Sequence, residues 1–274
     1  MNNIDEYITK LNSYNFSEST KEIFVEQIVS FYNHKTPTKL TKYNVGDEVM
    51  LTNLNLIHGT RANLEDLAKI SKTGLIASEF YTNNKIIKKK PFVIELWQVN
   101  ENTNLKDWLE KYTGLTVEFY DKFGLIHEKV ITSIDNLKNV IKKERNYRNY
   151  IIYQNQEQRF LPNELNNNEC SVAFIVKYSD GDLLIKNDIF NIDFSKKISK
   201  EILPDWYFEK YIVSRDFDNN ETDREKAILF GIPVSMVEGI VVSDKLKDNE
   251  DYLTIFKLFP NCYICDRNGK VLIA

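Results

Sequence analysis

With 274 residues, 42% of them apolar and 28% charged, the chain is long enough for one large domain or a catalytic domain with a smaller helical one, and its composition excludes extended disorder. Its 40 acidic and 36 basic side chains leave a formal charge of -4, which argues against an extensive nucleic-acid surface but leaves room for a local basic one. No run of about eighteen apolar residues is present, and the opening MNNIDEYITKLNSY is too polar and acidic for a secretory signal, so the expected location is cytoplasmic, with no membrane partner.

After that polar opening, STKEIFVEQIVSFY gathers Ile23, Phe24, Val25, Ile28, Val29 and Phe31 on one helical face, with Ser19 or Thr20 as its cap. His34 follows at the helix end, where a donor or cation meets the terminal carbonyls. Pro37 and KLTKYNVGDE then form a linker or a short extended element. The next stretch, LNLIHGTRANLEDLAKISKTGL from Leu54 to Leu75, predicts strand, tight turn and helix. Leu54, Leu56 and Ile57 make the apolar run, and Leu64, Leu67, Ala68 and Ile70 recur at helical spacing. Asn63 can cap this helix, Glu65 and Asp66 suit its first turn, and Gly74 suits its end. His58 and Thr60 thereby sit at a strand end beside helix amides, a seat for a polar or anionic ligand.

Farther on, Lys88, Lys89 and Lys90 read as a solvated loop, and Phe92 to Val99 as a strand. LKDWLEKY and Ser133 to Arg148 predict helices, whereas TVEFYDKFG predicts a strand with Phe119 and Tyr120 on opposite faces. His127 and Glu128, being adjacent in an extended segment, do not form a pair. The polar stretch YQNQEQRFLPNELNNNE precedes strands at Ser171 to Lys177 and Leu183 to Ile185, joined by a turn at Asp180-Gly181. Trp206 and Tyr207 can line a cleft or fill a core. ETDREKAILFGIPVSMVEGIVVSD places Glu225 just before a strand over Ala227 to Phe230, a turn at Gly231-Ile232-Pro233, a short helical step, and a strand over Gly239 to Val242; Glu238 is expected on the exposed face. Cys170, Cys262 and Cys265 do not make a disulfide framework, and no metal site is expected, since Cys262-Tyr263-Ile264-Cys265 lacks a second cluster. FPNCYICDRNGKVLIA instead predicts a closing hairpin turning at Asn268-Gly269. No glycine-rich dinucleotide fingerprint or phosphate-loop lysine occurs, which disfavours redox use of NAD and nucleoside-triphosphate chemistry.

Two of these stretches carry a resemblance. His58-Gly59-Thr60, a short helix and Thr73-Gly74-Leu75 resemble the opening of the NAD-binding core of ADP-ribosyltransferases of the diphtheria-toxin and poly(ADP-ribose) polymerase type. Glu225, an apolar strand, a proline-containing turn and a second apolar strand are similar to that family's catalytic-glutamate block, and the two stretches follow in the family's order. The resemblance implies an α+β fold with a core of two facing, twisted antiparallel β-sheets and peripheral helices. It divides the chain into an N-terminal helical segment, 1–45, and an ADP-ribosyltransferase-like domain, 46–274, with an insertion at about 101–168.

The same resemblance implies NAD as the ADP-ribose donor. His58 would bond the adenosine ribose, Gly59 would leave backbone room for the nicotinamide amide, and Thr60 would shape the pocket. Arg61, with Arg215 as a second candidate, can bind the pyrophosphate through paired charge-assisted bonds. The family's glycine-rich tyrosine strand is missing at its expected place, so the aromatic that stacks on nicotinamide is open between Tyr81 and Tyr120. The expected catalytic residues are Glu225, His58 and Tyr81, with Glu221 the runner-up to Glu225. The implied activity is NAD-dependent mono-ADP-ribosyl transfer to a protein, nucleotide or nucleic-acid acceptor, in toxin, antitoxin or antiviral biology. Its alternatives are an NAD glycohydrolase and an inactive NAD-binding or structural protein of the same fold. Acceptor and oligomeric state are left open.

Overall fold

The computed structural model describes residues 3–14, 16, 18–37, 39–80, 92–99, 101–112, 115–121, 124–131, 149–153, 172–179 and 225–274. The elements are α1 (Asn3–Asn12), α2 (Glu18–Asn33), β1 (Met50–Leu51), β2 (Asn55–Thr60), α3 (Leu64–Thr73), β3 (Leu75–Ile76), β4 (Val93–Gln98), β5 (Thr103–Asn104) and α4 (Leu105–Tyr112). They continue with β6 (Leu115–Asp121), β7 (Gly124–Ile131), β8 (Asn149–Tyr153), β9 (Val172–Lys177), β10 (Glu225–Leu229), β11 (Gly231–Ile232), β12 (Val237–Val242), α5 (Asp244–Asp248), α6 (Asp251–Leu258), β13 (Tyr263–Asp266) and β14 (Val271–Ile273). This is a mixed α+β fold with several β-sheets and peripheral helices. The chain forms two compact units, one from residues 1–40, 68–98 and 177–237, the other from residues 41–67, 99–176 and 238–274.

In the first unit the polar opening is itself a helix. Asp5 and Glu6 lie in the first turn of α1 and Lys10 in its last, charges that match the helix dipole, and Tyr7 and Leu11, four apart, are buried together. Helix α2 starts at Glu18, so Ser19 and Thr20 lie within its first turn and do not cap it. Phe24, Ile28 and Phe31 are buried, together with Thr20 and Gln27, whereas Val29, expected on the same apolar face, is exposed. These helices cover an aromatic cluster. The Phe230 ring meets Tyr7, Phe31 and Phe80 edge to face at centroid distances of 5.2, 5.0 and 5.0 Å, the arrangement that ring quadrupoles favour. Phe92 meets Tyr14, Phe16 and Phe24 in the same way. Both Phe92 and Phe230 have left-handed backbones, with φ of 65° and 69°, and the Phe230 amide donates to the Phe92 carbonyl at 2.8 Å. Burial of the rings offsets a conformation that costs an L-residue about 1–2 kcal/mol.

In the second unit the strands run in the order β2, β9, β12, β13, β14. Residues 172–176 of β9 and all of β12 are buried, as expected of strands covered on both faces. β12 and β13 pair in parallel, which departs from the all-antiparallel expectation. A parallel pair requires a crossover of a dozen or more residues, and the segment 243–262, carrying α5 and α6, supplies it. Gly239 opposes Tyr263, and a Cβ on Gly239 would lie 2.3 Å from the tyrosine ring, so only glycine lets that ring lie flat against β12. The closing hairpin forms as expected: β13 and β14 are antiparallel, and Gly269 takes φ of 76° at the turn. Asp266 organises this turn by accepting from the amides of Asn268 and Lys270 at 3.0 and 2.9 Å and from Lys247 Nζ at 2.8 Å. A separate antiparallel sheet has the order β7, β6, β8.

Several sequence expectations lie outside the described residues: Lys88–Lys90, the helix from Ser133 to Arg148, Cys170, the turn at Asp180-Gly181 with Leu183–Ile185, and Trp206 and Tyr207. Among the described residues, no helix is long and apolar enough to cross a membrane.

Candidate functional site

The strand, turn and helix expected from Leu54 onward form as read. Residues 55–59 of β2 are all buried, Thr60 is half-buried and Arg61 is exposed. The chain therefore emerges from the sheet at Thr60. His58 is 8% exposed, so little of the residue is open to a ligand.

Asn63 caps α3 in reciprocal fashion. Its Oδ1 accepts from the Asp66 amide at 2.8 Å, and its own amide donates to Asp66 Oδ2 at 3.2 Å, the two bonds of a capping box. The Asp66 carboxylate thus already complements this helix end, so the anionic seat expected there must draw on the strand end and Arg61 more than on the α3 dipole. Gly74 closes the helix with φ of 79°, its amide donating to the Ile70 carbonyl at 2.8 Å.

The second stretch folds as strand, turn and strand. The strand begins at Glu225 itself, two residues before the start expected at Ala227, and Glu225 pairs in register with Trp97 of β4. After the left-handed Phe230, β11 pairs with β3, Gly231 with Ile76 and Ile232 with Leu75. A Cβ on Gly231 would lie 2.3 Å from the Leu75 carbonyl oxygen, and one on Gly74 would lie 2.7 Å from the Ile232 carbonyl oxygen. The end of the first stretch and the turn of the second are therefore packed backbone to backbone, and both need glycine. Pro233 leads into a 3-10 turn, Val234–Met236, and His34 joins it there: its Nδ1 is 2.9 Å from Ser235 Oγ, while the Ser235 hydroxyl lies 3.3 Å from the His34 carbonyl. His34 is thus a structural tie, in keeping with its place at the end of α2.

His58, Gly59, Thr60 and Arg61 belong to the second unit and Glu225 to the first. Tyr120 lies in β6, paired with Leu125 and Asn149, a strand as expected. Tyr81, Arg215 and Glu221 fall outside the described residues.

Glu238, for which the sequence predicts an exposed face, is instead buried within β12. It is 3% exposed, and Asn55 Nδ2 donates to its Oε1 at 2.6 Å. The hint in the sequence is the run VEGIVV itself: a strand apolar on both faces buries any polar residue within it. The carboxylate colours its surroundings. Burial first, and then the Glu238 charge, push the Cys262 thiol up to about 12. The same two causes hold the Tyr263 phenol well above its ordinary range. Tyr43, whose ring meets Tyr263 at 4.8 Å, is raised mainly by burial. Among the described residues, no group of three His, Cys, Asp or Glu is placed to hold a metal ion.

Compared with known proteins, the chain matches no family model, no curated protein and no solved structure.

Proposed function

We propose that this chain transfers ADP-ribose from NAD to a protein, nucleotide or nucleic-acid acceptor, on the paired-sheet core of the ADP-ribosyltransferases. The observation that carries this reading is the β3–β11 junction. The end of the stretch that resembles the family's NAD-binding block, at Leu75–Ile76, pairs with the turn of the stretch that resembles its glutamate block, at Gly231–Ile232, although the two are far apart in sequence. It is supported by His58, buried two residues before the end of β2, and by Glu225 at the first position of β10.

In the reaction, the bond between ribose C1′ and the nicotinamide nitrogen breaks with its electron pair leaving on nicotinamide. Positive charge grows on the ribose, and the acceptor nucleophile bonds to C1′ and loses a proton. His58, Gly59, Thr60 and Arg61 bind and orient NAD before the bond breaks, and Tyr81 or Tyr120 stacks on nicotinamide. The Glu225 carboxylate stabilises the oxocarbenium-like charge, an interaction stronger in the transition state than in the ground state. The net charge of -4 favours a protein acceptor over a long nucleic acid.

Incubation with NAD labelled in its adenylate half, together with extract of the producing cell, is expected to move label onto a discrete species. Release of nicotinamide without transfer would make the protein an NAD glycohydrolase. Saturable NAD binding without release would make it an inactive relative, and loss of both binding and turnover would remove every NAD-dependent reading.

A further inference from the structure

The separate sheet β7, β6, β8 divides charge between its two faces. Successive residues of a strand alternate between faces, and residues directly opposite in an antiparallel pair share one, so the register sorts the residues by itself. Glu118 stands opposite Glu128 and Ile151, and in the next row of that face Thr116 stands opposite Val130 and Tyr153. Two carboxylates in direct opposition destabilise a strand pair, and a polyanion laid on this face would add to the repulsion. On the other face Phe119 stands opposite His127 and Tyr150, and the next row sets Val117 opposite Lys129 and Ile152. Three ring-bearing residues thus form one row across three strands, with a lysine in the row beside it and no acid in either.

Adjacent strands lie about 4.8 Å apart, so the row of rings spans about 10 Å. Rings carried on an antiparallel sheet stack two or three unpaired bases in a common class of RNA-binding domain, and such stacking tolerates any sequence because every base has a π-face. A duplex keeps those faces inside its own stack, and one lysine with one histidine neutralises too few phosphates to hold a duplex by charge. An apolar partner would take the Lys129 ammonium out of water without an anion, which is costly, whereas a phosphate pairs with it. We propose that the Phe119–His127–Tyr150 face of this sheet binds single-stranded nucleic acid, with the rings stacking on bases and Lys129 meeting the backbone. The formal charge of -4 belongs to the whole chain, while the separation that matters lies between two faces of one small sheet. The binding goes beyond the proposed ADP-ribosyl transfer and does not rest on it.

The test uses the full chain without NAD and reads fluorescence anisotropy of a labelled, mixed-sequence single strand of about 16 nucleotides, as DNA and as RNA, against the matching duplex. The single strand is expected to bind in a saturable way and more tightly than the duplex. Phe119→Ala and Tyr150→Ala should each weaken it about 5- to 150-fold, the effect of losing one stacked base, while Phe119→Tyr and Tyr150→Phe, which keep a ring, should stay within about threefold. Lys129→Gln should lower the slope of log affinity against log salt by about 0.7. Glu118→Gln, on the opposite face, should not weaken binding.

Circular dichroism checks that each variant is folded, and where an alanine variant is not, Phe119→Leu or Tyr150→Leu keeps apolar bulk without the ring and is read in its place. Absence of saturable single-strand binding by the wild-type chain overturns the proposal, as does a duplex bound at least as tightly. Wild-type affinity in folded variants that lack either ring overturns it too. A wild-type dimer that ignores the strand and dissociates on loss of Phe119 would assign the face to a second copy of the chain instead.

Discussion

Phe230 offers a test in which the ordinary order of two substitutions is reversed. Its ring is fully buried against Tyr7, Phe31 and Phe80, and removing a buried phenylalanine ring costs about 3–5 kcal/mol, a large part of a typical stability of roughly 5–15 kcal/mol. Both Phe230→Ala and Phe230→Gly bear this loss. At most sites glycine would then be the worse of the two by about 0.5–1 kcal/mol, because it gives up more conformational freedom on folding. Here the backbone has φ of 69°, a conformation costing alanine about 1–2 kcal/mol and glycine almost nothing. The difference leaves Phe230→Gly more stable than Phe230→Ala by roughly 0.5–1 kcal/mol. Urea unfolding of both variants, compared at equal m values so that the midpoint reports stability, measures it. An alanine variant that is the more stable by a similar margin would refute the left-handed conformation at the β10–β11 corner.

The α3 cap is exposed and local, so Asn63→Ala, which removes the bond from the Asp66 amide, is expected to cost about 1 kcal/mol in urea unfolding, and Asn63→Asp much less. At alkaline pH the folded protein holds the Cys262 proton more tightly than the unfolded chain, since the thiol is pushed up to about 12. Its contribution is therefore intact below pH ~9 and is lost as pH rises toward 12, with a limit of about 4 kcal/mol at roughly 1.4 kcal/mol for each tenfold change in ionisation constant. Cys265, Tyr263 and Tyr43 shift in the same direction, so stability should fall steeply over that range. The slope of stability against pH in Cys262→Ala should be shallower by about one proton, and an unchanged slope would count against the buried-thiol account.

What was legible in the sequence was local. The β2–α3 stretch could be read because each boundary carries its own chemistry: an apolar run, an asparagine able to cap, a glycine free to turn left-handed. The β13–β14 hairpin was legible at Asn268-Gly269 for the same reason. The hidden features depend on partners distant in the chain. Glu238 reads as a surface acid until Asn55 is placed beside it, and the parallel pairing of β12 with β13 follows from where α5 and α6 return the strand. Phe92 and Phe230 carry no sign of a positive φ, since the aromatic packing that sustains it comes from helices at the other end of the chain. Helix α1, read only as a polar opening, is amphipathic through Tyr7 and Leu11, too sparse an apolar stripe to be recognised before the surface it covers is known.

The central claim is that Glu225 stabilises the developing ribosyl cation, and the most direct measurement is the rate of nicotinamide release by folded Glu225→Gln at saturating NAD. The account predicts a loss of roughly tenfold to a thousandfold with NAD affinity largely kept, the scale of a transition-state electrostatic contact. His58→Ala should weaken affinity as well, and Glu221→Gln should be mild. Wild-type turnover by folded Glu225→Gln would contradict the claim, and a selective loss in Glu221→Gln would move the catalytic role to that upstream glutamate.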